Sequence, residues 1–208
     1  MRKKRPVVTA LALVLALALA GCSAPRRADV KLYLQGLLDE TYLNKTTPEY
    51  LDMVEIDQAD ADAAYQDSLS AEAAYFAAYF DLGGLDEADA QQVTDLCAQV
   101  LQHAKYEVVS AALQEDGSYS VKVSVEPIDF IQRVRARCPA DAGDGADWTD
   151  QLLDLCGALL PGTGNGDAQE LTVQLERDDD NCYALTGEDF ARLDAAILDY
   201  SGAPRAGA

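Results

Sequence analysis

The chain has 208 residues, and 36 acidic residues against 16 Lys and Arg give a net charge of −20 at pH 7. Binding to nucleic acid depends on neutralising phosphates with Lys and Arg, so this balance excludes it. An apolar fraction of 49% supports a packed core, and the length suits one domain rather than the two α/β lobes of a transporter-type solute-binding protein.

Arg2, Lys3, Lys4 and Arg5 open the chain, and residues 7–20 are apolar apart from Thr9. A bilayer-spanning helix takes about 20 apolar residues. This run has 14 and ends at a charged stretch, so it fits the apolar region of a signal peptide. Leu19-Ala20-Gly21-Cys22 resembles a bacterial lipobox. That resemblance implies a diacylglycerol on Cys22, removal of residues 1–21 as a lipoprotein signal peptide, and a membrane partner engaged through the lipid. Two acyl chains hold a protein far more firmly than one. The expected location is the extracytoplasmic face of the cell membrane. Residues 1–21 carry four basic and no acidic residues, so the mature chain has a net charge of −24. Such acidity attracts cations or cationic peptides, or only keeps the protein soluble, and solubility is the preferred reading. Residues 22–29 form a tether, in which Arg26 and Arg27 either touch anionic headgroups or are simply solvated.

The first helix is expected from about Ala28 to Asn44, with Val30, Leu34, Leu37 and Thr41 on one face. Thr47-Pro48 reads as an N-cap followed by proline at the first helical position, opening a short second helix. A long helix follows from about Asp60 to Phe80, with an apolar stripe of Tyr65, Leu69, Ala73, Phe76 and Phe80, and Gly83-Gly84 is expected to end it. Asp86 to about His103 makes a fourth. The period then changes. Residues 106–113 and 119–125 read as two strands joined at Asp116-Gly117, a strong hairpin signal. Val121, Val123 and Val125 alternate with Ser120, Lys122 and Ser124, so one face is buried. Pro127 is expected to open a helix through Arg137, and Trp148, Leu152, Leu155 and Leu159 mark another. Residues 161–169, PGTGNGDAQ, read as a flexible loop. Residues 171–176 alternate as a third strand. Thr186 caps the last helix, with Asp189 three residues later resembling a capping box. Helices and strands are segregated, which predicts an α+β fold. N-terminal helices precede a C-terminal half with a small antiparallel sheet of about three strands, covered by helices on one face. Residues 30–201 form the single domain, and 202–208 a flexible tail.

Outside the cytoplasm an even number of cysteines suggests disulfides. Of the four after Cys22, the expected pairs are Cys138–Cys156, which brackets a loop and a helix, and Cys97–Cys182, partly by elimination. The competing reading is that Cys97 and Cys182 stay reduced as small buried hydrophobes. No CxxC is present, and His103 is the one histidine, so neither a metal site nor a cofactor is expected. His103 ends a helix, where a cation suits the dipole, and no GxSxG elbow is present. Asp57, Asp60 and Asp62 complement the start of the long helix. The acidic clusters Asp178-Asp179-Asp180-Asn181 and Asp141, Asp144, Asp147 lack the calcium-loop pattern and read as solvated. Six of the ten tyrosines fall between residues 33 and 79. Tyr75 and Tyr79, four apart on one helical face, are the binding candidates, with half-buried packing at the core rim as the plainer reading.

VKLYLQGLLDETY, AAYQDSLSAEAAYFAAYF, KYEVVSAALQEDGSYSVKVSVEPIDF and YALTGEDFARLDAAILDY, behind the lipobox, resemble a group of uncharacterised lipoproteins of Gram-positive anaerobes. The resemblance implies a Gram-positive cell surface and no activity. The resulting expectation is a non-enzymatic binding or accessory lipoprotein, with a protein or small molecule as its unidentified ligand. The alternatives are an envelope hydrolase using acidic residues and a structural component of a membrane complex.

Overall fold

A computed structural model describes residues 27–138, 146–177 and 183–201. The signal segment, Cys22, Cys182, the loop acids Asp141, Asp144 and Asp178–Asp180, and the tail 202–208 lie outside the described residues. The element order is α1 (Arg27–Leu43), α2 (Pro48–Val54), α3 (Gln58–Tyr79), α4 (Glu87–Leu101), β1 (Lys105–Leu113), β2 (Tyr119–Glu126), α5 (Phe130–Arg135), α6 (Ala146–Leu159), β3 (Gln169–Arg177), β4 (Tyr183–Leu185) and α7 (Gly187–Leu198). This is the expected α+β arrangement, with four helices before the sheet.

Local chemistry sets the helix starts. Thr47 accepts a hydrogen bond from the Tyr50 amide at 3.2 Å, with Pro48 at the first helical position. Asp57 and Asp60 form a reciprocal capping box at α3, so their charge is used at the helix terminus. Asp86 takes the Ala88 and Asp89 amides. The end of α3 differs from expectation. The chain leaves the helix through Phe80, and Asp81, with φ 56°, takes the left-handed turn before Gly83-Gly84 is reached. Likewise Pro127 does not open α5, which starts three residues later at Phe130.

The sheet has strand order β1-β2-β3-β4, all antiparallel. The expected three strands are joined by β4, which pairs Tyr183 to Leu185 with Arg177 to Leu175. In the β2–β3 register Val121 faces Val173 and Tyr119 faces Leu175. Val121, Val123, Val173 and Leu175 are fully buried, while Ser120, Lys122, Thr172 and Gln174 lie on the opposite, polar face. The β1–β2 turn closes with a hydrogen bond from the Gln114 amide to Ser118 O, and Gly117 supplies φ 88°. Helix α7 packs beneath β2 and β3. Its Asp189 does not complete a capping box at Thr186. The carboxylate instead accepts from the Gln174 amide of β3 at 2.6 Å and pairs with Arg192 at 2.5 Å.

Residues 161–169 are also more ordered than a flexible loop. A 3-10 turn at Leu160–Gly162 leads to Asn165, which bridges Ile128 and donates to the carbonyls of His103 and Glu126. Asp129 adds a carboxylate bond to the Gly164 amide at 2.9 Å.

Helix α1 lies alongside β1. Gln35 Oε1 accepts from the Val108 amide at 3.1 Å, and Lys31 Nζ donates to Val109 O at 3.0 Å, at a bulge between Val108 and Ser110. On another side of α1, the Tyr50 ring of α2 lies flat against Gly36. A Cβ at Gly36 would sit 2.2 Å from Tyr50 Cδ2. Tyr50 cannot yield easily, because its hydroxyl donates to Glu40 Oε2 at 2.5 Å within the buried interior. Gly36→Ala is therefore expected to cost about 1–3 kcal/mol through overpacking. A urea melt would show a lowered midpoint with an unchanged slope, and an unchanged midpoint would contradict this close approach.

Candidate functional site

The most unusual chemistry in the molecule is enclosed. Glu72 lies inside the apolar stripe of α3 and Asp194 inside that of α7, and they are only 6% and 7% exposed. Each carboxyl receives one phenol. Tyr42 of α1 donates to Asp194 Oδ1 at 3.1 Å, and Tyr200, just past α7, donates to Glu72 Oε1. No ion pair reaches either carboxyl among the described residues. Tyr42 stacks on Phe190 and tilts against Tyr106. Beside Glu72 is a cavity of about 10 Å³, lined by Phe76, Leu96, Cys97, Val100, Ile131 and Tyr200 among others. That is about the space one water needs.

Charge is disfavoured in such a setting. Burial pushes the Glu72 carboxyl up to about 8, the neighbouring Asp194 charge adds to this, and the Tyr200 hydrogen bond opposes it. Burial likewise raises Asp194 to about 6 against the opposing Tyr42 hydrogen bond. The pair therefore holds a proton at neutral pH, because two buried like charges without a cation cannot both ionise cheaply. Tyr42 and Tyr200 are raised too, by burial first and then by these carboxyls, so both remain phenols and hydrogen-bond donors.

The sequence candidates Tyr75 and Tyr79 belong to this cluster. Tyr79 is buried and Tyr75 partly so, and both meet the Tyr200 ring edge-on, at centroid distances of 5.0 and 4.8 Å. They grip the C-terminal segment, which corresponds to the plainer packing reading of these residues. Nearby, Gln132 Nε2 donates to Asp199 O and Ser201 O, and Arg135 donates to Ser201 O at 2.6 Å. The strap that carries Tyr200 is thus held by α3 and α5 together.

Other singled-out residues do not converge. His103 contributes its carbonyl to the Asn165 side chain. Asp62 accepts from Gln58 one turn before it. Among the described residues no group of three or more His, Cys, Asp and Glu is placed to hold a metal ion. The expected Cys138–Cys156 disulfide is not formed in the structure, although Cys138 lies near enough to act on Cys156 electrostatically. Cys156 projects into the core with no exposure, and burial pushes its thiol up to about 12. Cys97 is also a buried thiol, and its expected partner Cys182 lies outside the described residues. One open concavity of about 350 Å³ lies between the end of α1 and the start of the hairpin, walled by Asp39, Leu43, Tyr106, Glu107, Ser124 and Glu126 among others.

Neither the protein-family models nor the curated proteins contain a match to this chain. Among solved structures, the candidate lipoprotein YcdA of Bacillus subtilis is similar in fold, with a TM-score of 0.52 at 12% identity. The match covers 81% of this chain and 55% of that one, so the chain spans about half the length of YcdA. At this identity the likeness shows the fold alone.

The buried acids give a pH signature. Unfolded, both carboxyls titrate near about 4. Their folded values are raised, so the native state holds protons that the unfolded chain has released. Their contribution is complete below about pH 4 and is lost as pH rises through 6 and 8, so stability falls across that window. A tenfold change in the proton affinity of a carboxyl is equivalent to about 1.4 kcal/mol. The thermal midpoint should drop between pH 5 and pH 9, and Glu72→Gln should flatten the drop while matching the parent at pH 5. Equal slopes for parent and variant would contradict the assignment. A second outcome follows from the thiols: Cys97 and Cys156 should resist iodoacetamide in the native protein at pH 8 and react once it is unfolded.

Proposed function

We propose that the protein is a lipid-anchored accessory or binding lipoprotein of the extracytoplasmic membrane face, at a Gram-positive cell surface, and that it works without catalysis. The observation that carries this is Leu19-Ala20-Gly21-Cys22 behind a cationic start and a 14-residue apolar run. The fold likeness to a candidate lipoprotein supports it. So does the absence, among the described residues, of any helix long and apolar enough to cross a membrane. The enclosed setting of the raised carboxyls favours binding over the hydrolase reading. A hydrolase needs such groups facing a cleft that admits substrate, and Glu72 and Asp194 face phenols and a water-sized space. Their proton serves cohesion between helices.

Intact-mass analysis of membrane-bound protein should find diacylglyceryl-Cys22 as the first residue, and Cys22→Ala should accumulate as uncleaved precursor. Mature protein that still begins at Met1 without lipid would overturn the reading. Capture from membranes with the acylated protein then separates a protein partner from a small ligand, and release of products from cell-wall glycans or peptides would favour the hydrolase instead.

A further inference from the structure

Asn165 is the one asparagine of the chain that precedes a glycine. Asparagine is thermolabile, and a following glycine has no Cβ to shield its amide nitrogen. In a free chain such a pair deamidates. The Gly166 nitrogen, once its proton has passed to water, attacks Asn165 Cγ. The N–Cγ bond forms, the Cγ–Nδ2 bond breaks, and ammonia leaves behind a five-membered imide. Water then opens the imide at one of its two carbonyls and leaves an aspartyl or isoaspartyl residue at position 165. Water and base are the only reagents.

The fold holds both reacting groups. The Gly166 N–H donates to Pro127 O at 2.8 Å and the Asp129 N–H donates to Gly164 O at 3.0 Å, so Asn165 is pinned on both sides to the segment between β2 and α5. Asp129 Oδ1 takes the Gly164 amide as a third tie. The leaving group is tied as well. Asn165 Nδ2 donates to His103 O at 2.9 Å and to Glu126 O at 3.2 Å. Those carbonyls lie at the Lys105–Glu126 end of the β1–β2 register, so the side-chain amide closes the open base of the hairpin. We propose that Asn165 is a deamidation site gated by this docking: the amide survives while residues 163–166 are docked, and a loop that has opened and reacted does not dock again. The second half follows from the donors. A carboxylate at position 165 has no N–H, and it would meet two carbonyl oxygens where the amide meets acceptors. The isoaspartyl product also adds a methylene to the main chain, which shifts the bridge to Ile128. Openings too brief to unfold the domain are thereby converted into a permanent change of charge and shape.

The test incubates the full-length protein at mildly alkaline pH, folded and in guanidinium chloride, and maps the peptide containing residues 161–169 for aspartyl and isoaspartyl products. Conversion at position 165 should be at least about tenfold slower in the folded protein, because the reaction requires local opening. Asp129→Ala removes the tie to Gly164 and should raise the folded rate while the circular dichroism of the parent is kept. Gly166→Ala should slow the reaction in denaturant, and its Cβ would lie 3.8 Å from Pro127, so the docked loop accommodates it. Asn165→Asp, the equivalent of the product, should lower the thermal midpoint. Equal rates in folded and denatured protein, an intact amide in both, an unchanged rate in folded Asp129→Ala, or a parent midpoint for Asn165→Asp would each overturn the inference. If Asp129→Ala does not fold, the ratio of folded to denatured rates in the parent decides.

Discussion

The two buried phenol–carboxyl hydrogen bonds at Glu72 and Asp194 are the constraint around which the helical and sheet halves meet. Each carboxyl alone would be a costly thing to bury. Together with Tyr42 and Tyr200 they form two phenol–carboxyl hydrogen bonds that join α1 to α7 and α3 to the strap beyond α7. These contacts span 152 and 128 residues of sequence. Removing one partner would leave the other desolvated and unpaired, a larger penalty than the hydrogen bond itself contributes. The arrangement specifies one register between the halves, which an all-apolar seam of the same volume would define less sharply.

The tyrosine richness follows from this. Tyr75, Tyr79 and Tyr200 are edge-on rings that fill space and keep polar tips where polar groups already lie. Phenylalanine in place of Tyr200 would fill the same volume and leave Glu72 without its donor. The strap would then hold through ring packing and its backbone bonds to Gln132 and Arg135.

Elements whose signals are local are legible in the sequence. Thr47 and Asp86 cap where side-chain chemistry places a cap, and β2 and β3 show a strict alternation that the register obeys. β4 is not legible, because three residues are too few to show a period, and Leu185 reads as easily as a flank of α7. Asp189 misleads because its partner, the Gln174 amide, is distant in sequence. The stretch GTGNG reads as unrestrained because its ties run through Asn165 and Asp129 to carbonyls and amides elsewhere. Glu72 and Asp194 do leave a signal. Glu72 falls between Leu69 and Phe76, and Asp194 between Phe190 and Ile197, so each is an acid inside an apolar stripe. Only the fold shows that the two stripes meet.

The contacts of Lys31 and Gln35 with β1 have a meaning at the scale of many molecules. An open strand edge offers unpaired amides and carbonyls on which a neighbouring chain can extend the sheet. Here Gln35 occupies the Val108 amide, Lys31 occupies the Val109 carbonyl, and the bulge between them breaks the regular spacing. Towards the other edge of the sheet, Asp189 occupies the Gln174 amide. In the proposed lipid-anchored form the molecule would meet its copies in two dimensions, at far higher local concentration than in solution. The occupied β1 edge would keep such a population from zipping into a shared sheet along that strand under lateral crowding.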